Sequence, residues 1–497
     1  MYRKRDRQTN QSQVHMVCID ELVPKDHILR DIDAAIDFSF IYDEVEGMYS
    51  DFIGGRPAID PVSLFKIVMI QYIFGIRSMR QTIKEIECNV AYRWFIGYDL
   101  NEEIPHFSTF GKNYSRRFKD TDIFERIFEH ILEEAIASGF VDEKVIFIDG
   151  THIKANANKK KAEKVLVEKK ARRYRKDLEH EINLDRKKHD KKPLKDKDSR
   201  GDDEGGTSEK EVQVEKKKIT QSTTDPESGL FCKGEHERQF AYTANTACDR
   251  HNYILAVELN PGNVHDSVAF DDIYGQLKER YEKLEAVVMD AGYKTPWIMK
   301  QIIDDGRVPV TPYKRPMTPK GYLKKYEYVY DEYYDCVICP NNEILKYTTT
   351  NREGYREYKS DQKVCKSCPY LEKCTQSKAH QKVVELHIWE KYMEQAEEYR
   401  HMRLYKKIYE KRKETIERVF ADAKEKHGMR YTQYRGLEKV KMETVLRFAC
   451  MNLKKLAKMK RRRGLLQPSY LIVSAIIEKL TKVYWSLFAP IHLLSTV

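Results

Sequence analysis

The chain has 497 residues, of which 41% are apolar, so it is long enough to fill more than one hydrophobic core. Lys and Arg outnumber Asp and Glu by 89 to 78, and this net charge of +11 excludes a strongly acidic protein and suits a polyanionic partner. The sequence begins MYRKRDRQTN without an apolar signal core, and charged residues interrupt the apolar segment at 470–497. We therefore expect a cytosolic protein without a membrane helix.

Residues 1–140 have the pattern of an all-helical region. PAIDPVSLFKIVMIQYIFGI carries a proline and serine helix-start signal, and a second predicted helix, MRQTIKEIECNVAYRWFIG, follows a short turn at 75–78. A basic segment, PHFSTFGKNYSRRFK, comes next. This order is typical of a helix-turn-helix DNA-binding domain, with Arg116, Arg117 and Lys119 as candidate phosphate contacts. A helical bundle with solvated arginines fits the same pattern.

The stretch VIFIDGTHIKANA predicts a buried strand that ends in Asp149. The same pattern recurs in LEAVVMDAGYKT, where Asp290 ends an apolar strand. Between them, ERQFAYTANTACD and YILAVELNPGNVHD predict an antiparallel hairpin, and RVPVTPY predicts a fifth strand. A strand-end Asp is often only a turn or capping residue, but a buried carboxylate is costly without a cation or other partners.

A lysine-rich insertion is expected at 158–222. Residues 159–200 hold 18 Lys or Arg against 9 Asp or Glu, which accounts for most of the net charge. Helical spacing of apolar residues predicts an amphipathic or coiled-coil helix in this segment, at Val167, Ala171, Tyr174, Leu178 and Ile182. The insertion fits either a nucleic-acid clamp or a solvated segment with charged faces.

A cysteine-rich insertion is expected at 330–380. Its two Cys-x-x-Cys pairs are separated by 25 residues and fit a structural zinc ribbon. An iron–sulfur cluster or reduced cysteines without metal are the alternatives, and a fifth thiol leaves the ligand set open. The candidate zinc ligands are Cys336, Cys339, Cys365, Cys368 and Cys374.

A later predicted helix, YKKIYEKRKETIERVFADAKEKHG, places Tyr409, Lys413, Glu417 and Lys424 on one stripe at the margin of an apolar face. A single such Glu is commonly a surface salt-bridge residue. Together with two strand-end aspartates, however, it would complete an oxygen-only site suited to Mg²⁺ or Mn²⁺. Two such ions about 4 Å apart support nuclease and strand-transfer chemistry.

These residues resemble the DDE transposases of bacterial insertion sequences, in the RNase H-like and retroviral-integrase superfamily. The matching segments are FIDGTHIKANAN with Asp149, VVMDAGYKT with Asp290, and ETIERVFADAKEKHGMRY with Glu417. The resemblance implies an α/β, RNase H-like mixed five-stranded sheet with flanking helices. It also implies catalysis by these three carboxylates with two Mg²⁺ ions.

The family's helix motif is Tyr, two residues, Arg, three residues, Glu, six residues, Lys. This chain keeps the interval from Glu417 to Lys424, but Lys413 occupies the Arg position, and Tyr409 and Arg412 lie one residue too early. The DNA-contact roles implied for Tyr409, Arg412, Lys413 and Lys424 are therefore less firmly assigned than that of the glutamate.

The sequence thus predicts three regions: a DNA-binding domain at 1–140, a catalytic domain at 141–455 carrying both insertions, and a basic and apolar tail at 456–497. The predicted function is a transposase that binds the terminal repeats of its element, cleaves DNA and transfers strands. Its expected partner is double-stranded DNA, on which a homodimer assembles. A metal-dependent nuclease without joining activity and a catalytically inactive DNA-binding derivative remain the alternatives.

Overall fold

A computed structural model describes residues 16–49, 58–168, 174–194, 216–233, 237–315 and 318–466. The predicted helical character of the N-terminal region is confirmed. Its described helices, with a 3₁₀ turn at Glu46–Met48 and a π-helical turn at Tyr114–Phe118, are α1 Ile19–Leu22, α2 Ile28–Ala35, α3 Phe40–Val45, α4 Pro61–Ile73, α5 Met79–Cys88, α6 Val90–Ile96, α7 Thr109–Asn113 and α8 Ile123–Ala137.

Two of these helices begin with side-chain caps, and the predicted proline start signal of the first is correct. Asp60 precedes α4 and accepts a hydrogen bond from the Ser63 backbone N–H at 2.7 Å, with Pro61 at the first helical position. Ser78 precedes α5, and its hydroxyl accepts from the Gln81 N–H at 3.2 Å. Both side chains satisfy backbone donors that a helix start leaves unpaired.

A mixed sheet follows the helices. Its central strand is β1, and β5 pairs with β1 antiparallel, while β7 and then β8 pair in parallel on the other side. Both β4 and β6 pair antiparallel with β5. The described strands of this region, including the separate two-stranded β2–β3 ribbon, are β1 Val145–Lys154, β2 Ala162–Glu168, β3 Lys216–Ser222, β4 Gly229–Lys233, β5 Glu237–Asp249, β6 Ile254–Pro261, β7 Ala286–Val288 and β8 Val308–Val310.

The mixed sheet contains every strand that the sequence predicts, in the predicted chain order, but it has six strands instead of five. The additional strand is β4, GLFCK, which extends the edge of β5 beyond the end of β6. This five-residue edge segment begins with glycine and ends with lysine, and its own sequence resembles that of a loop. Pairing with a longer partner gives it the strand conformation. Two helices flank the sheet, α10 Asp266–Arg280 and α11 Pro296–Asp304.

The cysteine-rich insertion forms a separate five-stranded antiparallel sheet with its own small core. Its strands are β9 Val329–Asp331, β10 Cys336–Ile338, β11 Ile344–Thr350, β12 Tyr355–Lys359 and β13 Val383–His387, and the turn between β12 and β13 carries α12 Gln362–Cys365 and α13 Leu371–Cys374. The buried core residues are Tyr328, Val337, Leu345, Tyr358 and Val384.

The lysine-rich insertion packs on this second sheet through α9, Arg175–Lys188. The carboxylate of Asp185 accepts hydrogen bonds from Arg356 Nε at 2.8 Å and from Thr350 Oγ1 at 2.5 Å. The predicted helical spacing is correct from Tyr174 onward but wrong at Val167, which lies in strand β2. Ala171 is outside the described residues. The helix is therefore a packing element of the insertion and not half of a coiled coil.

The chain then returns through helices to the N-terminal region. These are α14 Glu390–His401, α15 Arg403–Glu410, a 3₁₀ turn at Lys411–Lys413, α16 Ile416–Lys426 and α17 Leu437–Arg462. Helix α17 packs against α2, α4, α8 and β6, so one apolar cluster extends from Val23 to Ala457. The predicted boundary between residues 455 and 456 falls inside this helix. Helix α17 is the longest described helix, yet neither it nor any other described helix is long and apolar enough to cross a membrane.

Candidate active site

Asp149 lies in the middle of β1, and Asp290 follows the carboxyl end of the adjacent parallel strand β7. The register pairs Phe147 of β1 with Val288 of β7, and each aspartate comes two residues later. Neighbouring strands are about 4.8 Å apart, and side chains two residues along a strand point to the same side. The two half-buried carboxylates therefore belong to one site. The prediction that Asp149 ends its strand is wrong, because β1 continues to Lys154 through its pairing with β5.

Each aspartate also accepts a hydrogen bond from the backbone that follows it. Asp149 Oδ1 accepts from the Gly150 N–H at 2.9 Å, and Asp290 Oδ1 accepts from the Gly292 N–H at 2.5 Å. These local bonds hold one oxygen of each carboxylate against the adjacent backbone.

Arg412 supplies a positive charge to this pair. Its Nη2 donates to Asp149 Oδ2 at 2.5 Å, and its side chain is only 6% exposed, against 19% for that of Asp149. Burial acts to lower the pKa of Arg412, but Asp149, Tyr409 and Asp290 outweigh it and raise the pKa above its ordinary value. Sequence reasoning gave Arg412 a DNA-contact role, whereas the guanidinium lies inside the protein beside both aspartates.

Glu417 lies in the first turn of α16, which packs along β1 through buried Ile416, Val419 and Phe420. The segment after α16 pairs with the end of β1, since the Thr432 N–H donates to the Lys154 carbonyl at 3.1 Å. The Glu417 side chain is exposed.

The structure thus brings the two aspartates together and leaves the glutamate on the solvent side of its helix. Across the part of the chain that the structure covers, no group of three or more His, Cys, Asp or Glu side chains is placed to hold a metal ion together.

The predicted DNA contacts fall into two groups. Arg116, Lys119 and Lys413 are exposed. Arg117 is half-buried, because it donates to Asn113 Oδ1 at 2.5 Å and lies over the Tyr49 ring at 4.5 Å. Tyr409 and Lys424 are half-buried on the segment that carries Glu417.

Arg116 also borders a cavity of about 500 Å³ between α5, α7 and the loop before α17. Apolar and basic side chains both line this cavity, among them Met79, Phe107, Phe110, Lys112 and Tyr434.

Sequence reasoning missed a second buried cation near the site. Lys294, four residues after Asp290, is 3% exposed and forms an ion pair with Glu397 of α14. Burial acts to raise the pKa of Glu397, but Lys294 and Arg400 outweigh it and lower that pKa. The GYKT segment after Asp290 carries the lysine, but nothing local indicates its partner 103 residues away.

Asp225, another acidic residue of the predicted catalytic domain, has a structural role. Its carboxylate accepts from the Tyr242 hydroxyl at 2.9 Å and from the Gly436 N–H at 3.1 Å. Burial raises its pKa. These bonds join β5 to the start of α17, so Asp225 is not part of the aspartate pair. Asp266 is a second acidic residue of this domain, and its side chain is outside the described residues.

Comparison with known families matches two segments of the chain. Residues 17–116 match a family described as Transposase domain (DUF772), and residues 338–457 match a family described as Transposase DDE domain. The second segment contains Arg412 and Glu417 but neither aspartate, so the pairing of Asp149 with Asp290 rests on the sheet geometry. A search of curated proteins gave no match.

Proposed function

We propose that this chain is an insertion-sequence DDE transposase, as both matched domains support, and that it binds the ends of its element, cleaves DNA there and transfers the freed strands to a target. The observation that carries the proposal is the placement of Asp149 and Asp290 on the adjacent parallel strands β1 and β7, with the buried guanidinium of Arg412 against Asp149. The DDE domain assignment supports polynucleotide chemistry in general. Cleavage at element ends and strand transfer are the specific steps proposed here.

DDE transposases use divalent metals such as Mg²⁺, and the donor set of this site fits such an ion. Carboxylate oxygens are the ligands that Mg²⁺ prefers. The positively charged guanidinium of Arg412 already lies against Asp149. We assign Asp149, Asp290 and Glu417 as the ligands of two Mg²⁺ ions. Mn²⁺ is the alternative metal. When bound, the ions activate the attacking oxygen and stabilise the leaving oxygen of the phosphodiester.

The protein's own groups have distinct tasks in this proposal. Asp149 and Asp290 would hold the ions, and the sheet that carries both aspartates fixes their separation. Glu417 approaches from α16, whose exposed side faces the substrate. Arg412 neutralises one carboxylate, which reduces the repulsion between the aspartate pair and a phosphodiester.

Transposase domains imply DNA as a partner, and the exposed cations supply the attraction that this pairing needs. We assign Arg116 and Lys119 to phosphates near the N-terminal helices, and Lys413, Lys424 and Tyr409 to phosphates near the carboxylates. Arg117 is held by Asn113 and Tyr49, so its contribution is to shape this surface. Assembly as a homodimer on two element ends is part of the same proposal.

Labelled element-end DNA tests the assignment in the presence of Mg²⁺. We expect wild-type protein to nick the end and join it to a target, and Asp149→Asn and Asp290→Asn to lose at least about 1,000-fold in rate, since removal of a metal ligand removes the bound ion's contribution. Asp177→Asn, at an exposed position on α9, is the matched control and should retain the wild-type rate.

Nicking without joining by wild-type protein would favour a nuclease. Equal rates for wild type and Asp290→Asn would overturn the site. Binding of end DNA without any cleavage would favour an inactive DNA-binding derivative.

A further inference from the structure

The two cysteines of the first Cys-x-x-Cys pair lie on opposite faces of the second sheet. Cys336 is inside β10 and pairs with Asp331 on one side and Lys346 on the other. The Cys339 N–H donates to the Glu343 carbonyl at 3.0 Å, which continues the same ladder. Because successive side chains of a strand alternate, Val337 and Cys339 share one face and Cys336 has the other.

Cys339 lies on the face that carries the core of this sheet, and Cys336 is buried on the other face. Val337 belongs to the core of this sheet, and Cys339 packs against that core. Cys374 packs against the same core, and its Sγ lies 3.1 Å from the hydroxyl of Tyr328. Two thiols from strands and helices that are distant in sequence therefore meet at one end of one core.

Cys365 and Cys368 lie on the loop that ends with Cys374. Cys365 ends α12, the Cys368 N–H donates to the Cys365 carbonyl at 3.1 Å, and the Leu371 N–H donates to the Cys368 carbonyl at 3.1 Å. Cys365 Sγ donates to Ser360 Oγ at 3.2 Å, which fixes this turn to the end of β12. All three thiols of the loop are half-buried, and each is free of disulfide bonds.

We propose that Cys339, Cys365, Cys368 and Cys374 bind one structural Zn²⁺ and that Cys336 is not a ligand. Four thiolates complete the tetrahedral set of a closed zinc site. In the described residues no group of three or more such side chains is placed to hold a metal ion, so zinc binding requires the four thiols to come closer together. The zinc site stabilises the sheet on which α9 packs. It is independent of the reaction proposed for the carboxylate site.

The metal content of the full chain, purified without chelator, tests this assignment. We expect about one zinc per chain in wild type and in Cys336→Ser, and less than about a tenth of that in Cys339→Ser and Cys374→Ser, because loss of one ligand opens a closed site. Cys336→Ser is the matched control, since it removes a thiol from the same Cys-x-x-Cys pair. Zinc-free wild type, or loss of zinc from Cys336→Ser with retention in Cys339→Ser, would overturn the proposal.

A second variant separates loss of a ligand from loss of the fold. Imidazole also binds zinc, so Cys374→His should recover most of the zinc that Cys374→Ser loses. With Co²⁺ in place of zinc, we expect the thiolate-to-cobalt absorption of Cys336→Ser to equal that of wild type. Reduced absorption in that variant would count against the ligand set.

These measurements need no DNA. A zinc-free chain that still cleaves DNA with Mg²⁺ would defeat the zinc assignment alone, and a chain with one zinc that fails to cleave would defeat the proposed function alone.

Discussion

Arg412 Nη2 lies 2.5 Å from Asp149 Oδ2, and its guanidinium also interacts electrostatically with Asp290. A buried arginine is charged at every physiological pH, so this contact compensates one of two adjacent carboxylates. In the proposed site, the same contact would compete with a metal ion for Asp149. Arg412 should therefore set how readily the free protein accepts Mg²⁺.

Replacement of Arg412 by Gln should strengthen Mg²⁺ binding to the DNA-free protein. A hydrogen bond to a charged group contributes about 1.5–3 kcal/mol, so loss of this competitor should lower the Kd for Mg²⁺ by about tenfold or more. Isothermal titration calorimetry measures the change. Arg418→Gln, at an exposed position six residues later, should leave the Kd unchanged. An unaltered Kd in Arg412→Gln would show that the arginine does not compete with the metal.

Replacement of Glu417 by Gln should remove activity without affecting stability. The side chain is exposed, and substitutions at such positions change the free energy of unfolding by about 0.5 kcal/mol or less. As a metal ligand, however, Glu417 should account for at least about 100-fold in cleavage rate. Glu414→Gln, also exposed and one helical turn earlier, is the control for both measurements. Full activity of Glu417→Gln would remove this residue from the site.

His427 should make the fold sensitive to acid. Its Nδ1 donates to the Tyr72 carbonyl at 2.8 Å, and burial lowers its pKa from 6.5 to about 4. Because the folded pKa is the lower one, the neutral imidazole stabilises the protein above pH 6.5, and this stability is lost as the pH falls toward 4. The difference between the two pKa values corresponds to about 3 kcal/mol.

Urea unfolding at several pH values measures this effect. Between pH 7 and pH 4, wild type should lose more unfolding free energy than His427→Gln, by up to about 3 kcal/mol. The exposed His180 provides the control variant, His180→Gln, which should follow wild type. Parallel pH profiles for wild type and His427→Gln would contradict the prediction.

Replacement of Asp185 by Ala should loosen α9 from the second sheet. Asp185 is 4% exposed, and its loss leaves Arg356 without its carboxylate partner. Breaking a buried ion pair in this way costs about 3–5 kcal/mol. Urea unfolding followed by tryptophan fluorescence should report the loss, because Trp389 packs against this helix.

The exposed Asp177 of the same helix gives the control variant, Asp177→Ala. In the double variant with Arg356→Ala, the effects should be less than additive, since both changes remove one interaction. Strict additivity would mean that the pair contributes no coupling.

Arg116 and Arg117 should differ in their contribution to DNA binding. Arg116 is exposed, so Arg116→Ala should reduce the slope of log K against log salt concentration by about 0.9, the value for one phosphate. Arg117 is engaged by Asn113 and Tyr49, so Arg117→Ala should change this slope less. Fluorescence anisotropy at several salt concentrations measures both slopes. Arg116→Lys keeps the charge and should retain the wild-type slope, and equal slopes for wild type and Arg116→Ala would refute the contact.

The two aspartates could be predicted from sequence because their signals are local, although β1 continues beyond Asp149. An apolar run, an acid and a following glycine stand within a few residues at both Asp149 and Asp290. The partnership of Arg412 with Asp149 spans 263 residues and carries no local signal. Its displacement by one position from the family motif suggested a weakened DNA contact, whereas the fold turns the side chain inward.

The cysteines illustrate a different limit of sequence reasoning. Spacing alone treats Cys336 and Cys339 as equivalent members of a pair. They differ because strand β10 starts at Cys336 and its ladder continues through Cys339, which sends the two thiols to opposite faces. Likewise, the sixth strand β4 exists through pairing with β5, which a five-residue segment cannot reveal by its own periodicity.

Helix α17 has a consequence for decayed copies of the gene. It fills the core between the N-terminal helices and the sheet, and Lys460 at its end donates to the Ala35 carbonyl at 2.8 Å. A premature stop before residue 437 would leave the apolar faces of α2, α4 and α8 exposed to water. Such a product should be degraded instead of persisting as a repressor that occupies element ends. Truncated copies should therefore be unable to inhibit transposition by an intact copy in the same cell.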